Sequence, residues 1–202
     1  MFRWVINLWQ SIFGRAKKSN DLSPIIEKRL EPLIITDLRG ELPTHPDKKY
    51  RIRNGPFTHI AIHHSLTDVG SAASFNRYHI ENNDWPGIGY AYVISKDGTI
   101  EWCWDHNIKT YHVGNSNGFA LGLVNVGDYN STRPPLIQVE ACLRLIQKVA
   151  PDIPVDKVWG HQEYPNYEWK KCPGNNWNME EFRNKLQLLK EGRYKFKAFR
   201  EV

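Results

Sequence analysis

The chain has 202 residues, a length that suits one globular domain with modest additions at its ends. Hydrophobic residues make up 41% of the chain, which is enough for a packed core and excludes a wholly disordered protein. The net charge of +5 favours an anionic partner such as nucleic acid, anionic lipid or cell wall, without choosing among them. No apolar run approaches the ~18 consecutive residues of a membrane-spanning helix.

The first twenty residues carry four basic side chains and no acidic one. Apolar residues recur at helical spacing over 2–17, which predicts a short amphipathic helix. Such a helix either contacts a membrane surface or a partner, or packs on the main domain. Polar residues interrupt the apolar stretch 4–13 and the charge follows it, unlike a secretion signal. We therefore expect a protein that is kept, at least at first, inside the cell.

The remaining elements alternate between strands and helices. Residues 19–56 are polar and rich in proline, and the compact domain is predicted to begin near residue 35. Strands are predicted at 57–64, 89–95, 99–104, 120–127 and 157–160, the second and third forming a hairpin. Helices are predicted at 71–83, from Pro135 onward, and after Asn178, where Glu181 three residues later resembles a capping box. This order predicts an α/β domain with a mixed sheet.

Three cysteines, Cys103, Cys142 and Cys172, do not form a disulfide framework, since their number is odd and their spacing irregular. Cys103 and Cys142 fit no ligand position and are expected to be buried free thiols. Cys172 lies eleven residues after His161, which ends a predicted strand, as the pair His63 and His64 does.

Two imidazoles and one thiolate suit Zn²⁺, and three protein ligands leave the fourth position open, as in catalytic zinc sites. The residues alone leave a plainer interpretation open, because buried histidines and lone cysteines more often serve as ordinary core residues.

Four motifs in order carry a resemblance to a known family. They are THIAIHHS (58–65), GIGYAYVISKDGTIEWCW (87–104), TYHVGNSN (110–117) and GHQEY followed by KKCPG (160–174). Together they resemble the N-acetylmuramoyl-L-alanine amidases related to peptidoglycan recognition proteins, including phage lysis amidases, over roughly residues 35–190. The resemblance implies a single α/β domain with a central mixed β-sheet flanked by helices. It divides the chain into an N-terminal helix and lead-in (1–34), a zinc amidase domain (35–192) and a basic C-terminal tail (193–202).

The resemblance also implies roles for individual residues. His63, His161 and Cys172 match the ligands of one Zn²⁺ ion per chain, with His64 as the competitor for the first position because a slip of one residue reverses the strand face. Tyr90 matches a tyrosine that points at the metal-bound water, and Lys170 matches a lysine that faces the scissile carbonyl, with Lys171 as its alternative. Substrate-binding roles fall on His112, His64 and Asn117.

The function implied is zinc-dependent hydrolysis of the amide between N-acetylmuramic acid and L-alanine in peptidoglycan, in a phage or prophage endolysin. The alternatives are a non-catalytic peptidoglycan-binding module and a bacterial wall-remodelling or recycling amidase. We expect peptidoglycan and not nucleic acid as partner, and a monomer. The enzyme would wait in the cytoplasm of the producing cell and act on the wall after release, and residues 1–20 could contact membrane or wall.

Some features depart from the family pattern or leave a choice open. The loop between His161 and Cys172 is longer than in the shorter members, and its Tyr164, Tyr167 and Trp169 either pack the loop or wall the groove. Glu163 either orients a metal ligand or is a surface acid. Asn125 falls in a predicted buried strand, where it needs hydrogen-bond partners.

Overall fold

The structure is a computed structural model that describes residues 32–198. The strands are β1 (Ile35–Asp37), β2 (Arg51–Ile52), β3 (His59–His64), β4 (Tyr92–Ile94), β5 (Ile100–Trp102), β6 (Ile108–Lys109), β7 (Ala120–Asn125) and β8 (Val158–Gly160). The helices are α1 (Ala72–Glu81), α2 (Leu136–Val149) and α3 (Met179–Lys190), with short 3-10 turns at Gly114–Gly118, Val155–Lys157 and His161–Glu163.

Six strands form one mixed sheet in the order β1-β5-β4-β7-β3-β8. Strand β3 runs parallel to both β7 and β8, and β4 runs parallel to β7. The β4–β5 hairpin is antiparallel, as the sequence predicts, and β2 pairs with β6 in a separate two-stranded ribbon. The predicted α/β domain with a central mixed sheet and flanking helices is therefore confirmed.

Side chains of the central strands alternate between two cores. On β3, Ile60 and Ile62 enter the main core beneath α2 and α3, whereas Ala61 enters a smaller cluster on the opposite face. On β7, Leu123 enters the main core and its neighbour Val124 packs on the α1 side. Because successive strand residues point to opposite faces, this alternation also sends His63 and His64 in opposite directions.

The helices cover the two faces unequally. Helix α2 contributes fully buried leucines and isoleucine, among them Leu143, Leu145 and Ile146, each contributing about 1.5–3 kcal/mol by burial. Helix α1 lies on the other face and begins at Ser71, which forms a capping box with Ser74. At α3, Asn178 accepts a hydrogen bond from the backbone of Glu181, which is one half of the expected box.

The ends of the described segment also bear on the predictions. The predicted helix over 2–17 lies outside the described residues, as do residues 199–202. The last described residues, 194–198, are docked on the domain. Tyr194 and Phe196 pack against the main core, and buried Glu140 accepts hydrogen bonds from the backbone of Lys197 and Ala198. No helix between residues 32 and 198 combines the length and apolar character that crossing a membrane requires.

Candidate metal centre and adjoining pocket

Three predicted ligands converge on the α1 side of the sheet. The ligand atoms of His63, His161 and Cys172 all lie within 4.8 Å of one another. The Sγ of Cys172 is 3.6 Å from Nδ1 of His63. Tetrahedral zinc bonds of about 2.3 Å to sulfur and about 2.0–2.1 Å to nitrogen would separate two such ligands by about 3.6 Å. The spacing of this pair therefore suits a zinc ion.

Hydrogen bonds to His112 fix which nitrogen of His63 is free. A carbonyl oxygen can only accept, so Nε2 of His112 carries a proton and donates to Ala120 O at 3.2 Å. Nδ1 of His112 then accepts from Nε2 of His63, also at 3.2 Å. The remaining Nδ1 of His63 keeps its lone pair and faces Cys172. A metal-binding histidine is commonly oriented in this way by a partner on its second nitrogen.

A glycine makes this arrangement possible. His112 lies against β7 at Gly122, where a Cβ would come within 2.8 Å of the imidazole Cγ. Any side chain at residue 122 would therefore push His112 away from His63.

The environment keeps the imidazoles neutral. Burial lowers the pKa of His63 well below its usual value, and lowers the pKa of His161 to about 4 and that of His112 to about 3. Burial raises the pKa of the Cys172 thiol to about 12, so a cation that binds there must displace the thiol proton. Nε2 of His161 is buried and has no hydrogen-bond partner among the described residues. Such an orphaned group is unusual in a native core and a ligand bond would satisfy it.

A cavity of about 460 Å³ includes the ligand candidate His161 in its lining, and its volume is typical of small-molecule sites. It is lined by His79, Asn83, Trp85, Tyr90, Tyr111, His112, Gly114, Asn117, His161, Tyr167 and Lys170. Four of the predicted site residues, Tyr90, Lys170, His112 and Asn117, are therefore brought together with one metal-ligand candidate, His161.

Tyr90 and Lys170 present different chemistry to this cavity. The ring of Tyr90 lies 5.1 Å from that of His63, and burial raises its phenol pKa, which keeps the hydroxyl protonated. The Lys170 ammonium lies 4.9 Å from the ring centroid of Trp169 and 5.7 Å from that of Tyr167. Lys171 is exposed and does not line the cavity. The geometry thus favours Lys170 over its neighbour as the cation facing the site.

Asn117 lines the cavity, whereas His64 lies away from it. His64 lies on the α2 side of the sheet, where its Nδ1 accepts a hydrogen bond from the backbone of Tyr129 at 3.1 Å. The structure brings it neither to the ligand cluster nor to the cavity lining. Asn117 does line the cavity, and its Oδ1 accepts from the backbone of His112 and Val113 at 2.9 and 2.7 Å. Asn117 therefore holds the loop that carries His112.

The three aromatic side chains of the loop between His161 and Cys172 differ in burial and in what they contact. Tyr164 is fully buried and anchors the loop, and Tyr167 lines the cavity with its ring 4.5 Å from that of His161. Trp169 is 75% exposed. Glu163 accepts from the backbone of Gly160 at 2.6 Å and pairs with Arg183, so it fixes the turn that carries His161.

Asn125 and the two remaining cysteines are structural. Asn125 is fully buried, and its amide donates to the backbone oxygen of His63 at 3.2 Å. Cys103 and Cys142 are buried free thiols, as predicted.

Sequence reasoning missed several residues of the cavity wall. They are His79, Asn83, Trp85 and Tyr111. His79 is buried on α1, and its Nδ1 accepts from the backbone of Gly89 at 3.1 Å. A buried histidine within an otherwise apolar helical stripe was the available signal, but it equally describes a core residue.

The chain has relatives among known proteins. The sequence model of a family described as N-acetylmuramoyl-L-alanine amidase matches residues 53–175. Peptidoglycan-recognition protein LB of Drosophila melanogaster is 29% identical over 133 residues, which cover 59% of this chain and 56% of that protein. The N-acetylmuramoyl-L-alanine amidase of Homo sapiens is 30% identical over 143 residues, covering 59% of this chain but 23% of that protein. The chain thus spans about half or less of these two relatives.

Solved structures share the fold. The amidase LysC from Clostridium intestinale superposes with a TM-score of 0.61 at 23% identity, covering 76% of this chain and 97% of its own. The endolysin of Thermus scotoductus bacteriophage Ph2119 gives a TM-score of 0.62 at 23% identity, with coverages of 80% and 99%. Drosophila PGRP-LB gives 0.60 at 22% identity, with coverages of 80% and 97%.

Proposed function

Because the chain belongs to the N-acetylmuramoyl-L-alanine amidase family, we propose that it is a zinc enzyme that hydrolyses the amide bond between N-acetylmuramic acid and L-alanine in peptidoglycan. The observation that carries this proposal is the convergence of His63, His161 and Cys172 beside a cavity lined by Tyr90 and Lys170. A module that only binds peptidoglycan needs neither an open three-ligand cluster nor a lysine at the cavity wall.

The ligand set fits zinc on three grounds. It combines two nitrogen donors with one sulfur donor, which is a zinc preference. The 3.6 Å separation of Cys172 Sγ and His63 Nδ1 suits tetrahedral coordination. Nε2 of His161 is buried and has no hydrogen-bond partner within the described chain, so it is available to bind a metal ion. When bound, Zn²⁺ supplies a Lewis acid and lowers the pKa of a coordinated water to about 7.

The protein's own side chains then divide the remaining work. His112 holds the His63 ring so that Nδ1 stays available. The Tyr90 hydroxyl, kept protonated by burial, can orient the attacking water and pass a proton to the leaving amine. The Lys170 ammonium can stabilise the negative charge that develops on the lactyl carbonyl oxygen.

Zinc content and product release test this proposal together. Purified protein is expected to hold one zinc per chain and to release L-alanine amino termini from purified peptidoglycan. A chelator should abolish release and added Zn²⁺ should restore it. Peptidoglycan binding without amine release would contradict the enzyme and support a binding module, and a metal-free protein that remains active would contradict the zinc mechanism.

We also propose that the enzyme serves as a phage or prophage endolysin held in the cytoplasm until the membrane is permeabilised. The likeness to the Ph2119 endolysin, of which 99% is covered, supports this context. Expression in a bacterium should cause lysis only when a membrane-permeabilising agent is added. Wall turnover in growing cells without such an agent would instead favour a remodelling amidase.

A further inference from the structure

Trp169 is the most conspicuous exposed aromatic residue on the loop between His161 and Cys172. Its side chain is 75% exposed, yet its Nε1 already donates to the backbone oxygen of Asn166 at 3.2 Å. Asn166 adopts a left-handed conformation (φ 70°), and its backbone N–H donates to Glu168. A tight turn therefore holds the indole. Its N–H is hydrogen-bonded within the loop, and its apolar ring faces solvent.

Packing does not account for this exposure. Tyr164, with no exposed surface, anchors the loop to Trp159, their ring centroids 5.1 Å apart. Tyr167 packs against the His161 ring at 4.5 Å. The loop thus has two buried or half-buried aromatic anchors and leaves the third ring on its outer surface. Tryptophan is enriched among the residues that contribute most to binding, so an exposed indole beside a pocket is a candidate contact surface.

The exposed ring adjoins the cavity. The Lys170 ammonium lies 4.9 Å from the Trp169 ring centroid, and Lys170 itself lines the cavity. Tyr167 lines the same wall and contacts His161. Trp169 therefore stands at the rim, one side chain away from the cavity wall.

We propose that Trp169 is a stacking platform for a sugar ring of the glycan strand, so that the preferred substrate is a multi-sugar strand rather than a single muramyl peptide. This inference rests on the proposed amidase function. The scissile amide joins the peptide to a sugar, so the strand must pass the cavity mouth while the amide lies inside. A cavity of about 460 Å³ has the size of a small-molecule site, so we expect sugars beyond the one that carries the scissile amide to lie across its rim. The C–H face of a pyranose is apolar and weakly positive, which complements the negative face of an indole.

The kinetic test compares two soluble substrates with the same peptide, one carrying a single N-acetylmuramic acid and the other a tetrasaccharide of the glycan strand. For Trp169→Ala, KM for the tetrasaccharide substrate is expected to rise about 3- to 10-fold, the worth of one stacked ring. KM for the single-sugar substrate and both kcat values should stay unchanged. Trp169→Phe should recover part of the loss. Tyr78→Ala, which removes a 56% exposed aromatic side chain outside the cavity lining, is the matched control and should behave like the parent.

Two results would overturn the platform. An equal rise in KM for both substrates would show that the glycan is not what Trp169 recognises. A fall in kcat on both substrates at constant KM would show that Trp169 acts through the Lys170 ammonium instead.

A binding measurement separates this inference from the proposed function. Peptide-free tetrasaccharide, titrated calorimetrically into the zinc-loaded parent, should bind more tightly than it binds Trp169→Ala. If the parent binds the tetrasaccharide in this way but hydrolyses neither substrate, the amidase proposal fails and the platform stands. If the parent and Trp169→Ala bind it equally, the platform fails whatever the activity.

Discussion

Two buried polar clusters, one on each face of the central sheet, differ in how their polar atoms find partners. Beneath α2, Gln138 is fully buried and donates to the backbone oxygens of Ile94 and Val126 at 2.9 and 3.1 Å. The single hydroxyl proton of Tyr129 lies between two acceptors, Gln138 Oε1 and Val126 O, the latter at 2.6 Å. His64 joins this region through the backbone of Tyr129. These polar groups find their partners within the protein, and they fix the packing of α2 on the sheet.

On the opposite face, two imidazole nitrogens and one thiol converge, and the weak Cys172 S–H is the donor available to His63. Nδ1 of His63 faces Cys172 Sγ at 3.6 Å, and Nε2 of His161 has no partner among residues 32–198. The difference teaches how to distinguish structural from functional polar groups in one fold. A polar network whose atoms find partners within the protein specifies structure, whereas several metal-binding atoms gathered around a common point indicate a ligand site, and an isolated unpaired atom such as Asn125 Oδ1 does not.

The largest expected effect contrasts two cysteines on the two faces. Cys172→Ala should abolish zinc binding and lower amine release by about 10³-fold or more, because the several kcal/mol of metal-dependent stabilisation are lost. Cys142→Ala, at a fully buried thiol of α2, should cost about 1–2 kcal/mol of stability and leave zinc content unchanged. Metal analysis measures the zinc content, kinetics measures amine release, and denaturant unfolding measures the stability. If Cys142→Ala also lost zinc, the two faces would not be independent.

The next effect contrasts two adjacent lysines. Lys170→Ala should lower kcat by about 10²- to 10³-fold with zinc retained, since one preorganised charge at the developing oxyanion is worth that much. Lys171→Ala, at an exposed residue outside the cavity lining, should stay within about twofold of the parent because surface charges contribute little. Similar losses in both variants would place the charge requirement on the loop as a whole.

The alternation of β3 explains how far the sequence could go. Its apolar residues predict a buried strand ending in two histidines, and a period of two requires that His63 and His64 point to opposite faces. Both faces of β3 are buried, so hydrophobicity does not tell which face holds α2. That choice depends on Tyr129 and the helices, which are brought to the strand only by the tertiary fold.

The cavity wall was less predictable than the ligands. His161 and Cys172 follow from donor chemistry and from recognisable motifs, whereas His79 and Trp85 lie outside those motifs. They reach the cavity because α1 and the loop after it pack on the sheet face that carries His63, a long-range consequence that local patterns do not encode. The aromatic residues of the loop could not be assigned from sequence for the same reason. Tyr164 and Trp169 are both aromatic and lie five positions apart, yet the first is fully buried and the second is 75% exposed.

A smaller effect is expected at the residue that orients His63. His112→Ala removes the acceptor for Nε2 of His63 and frees its ring to rotate. Zinc affinity should fall about 10- to 100-fold, which is the usual effect of removing a residue that orients a metal ligand. Competition with a chromophoric chelator measures the affinity directly. An unchanged affinity combined with a raised KM for substrate would assign His112 to substrate binding alone.

The smallest effect on activity is expected from the closed network beneath α2. Gln138→Ala removes a fully buried amide together with its hydrogen bonds to Ile94 O, Val126 O and the Tyr129 hydroxyl, which should cost about 1–3 kcal/mol in the free energy of unfolding. Zinc content and kcat should match the parent at temperatures well below the unfolding midpoint, because none of these groups touches the cavity. Denaturant unfolding and metal analysis of the same preparation provide the two measurements.

Gln187→Ala is the matched control, since Gln187 is exposed on α3 and bonds only to the neighbouring Glu191 side chain. Its stability should change by no more than about 0.5 kcal/mol. The informative contradiction is a folded Gln138→Ala protein that binds zinc weakly. Such a result would mean that the α2 network positions the strand ends that carry His63, and that the closed network and the open cluster form one coupled unit rather than two separate ones.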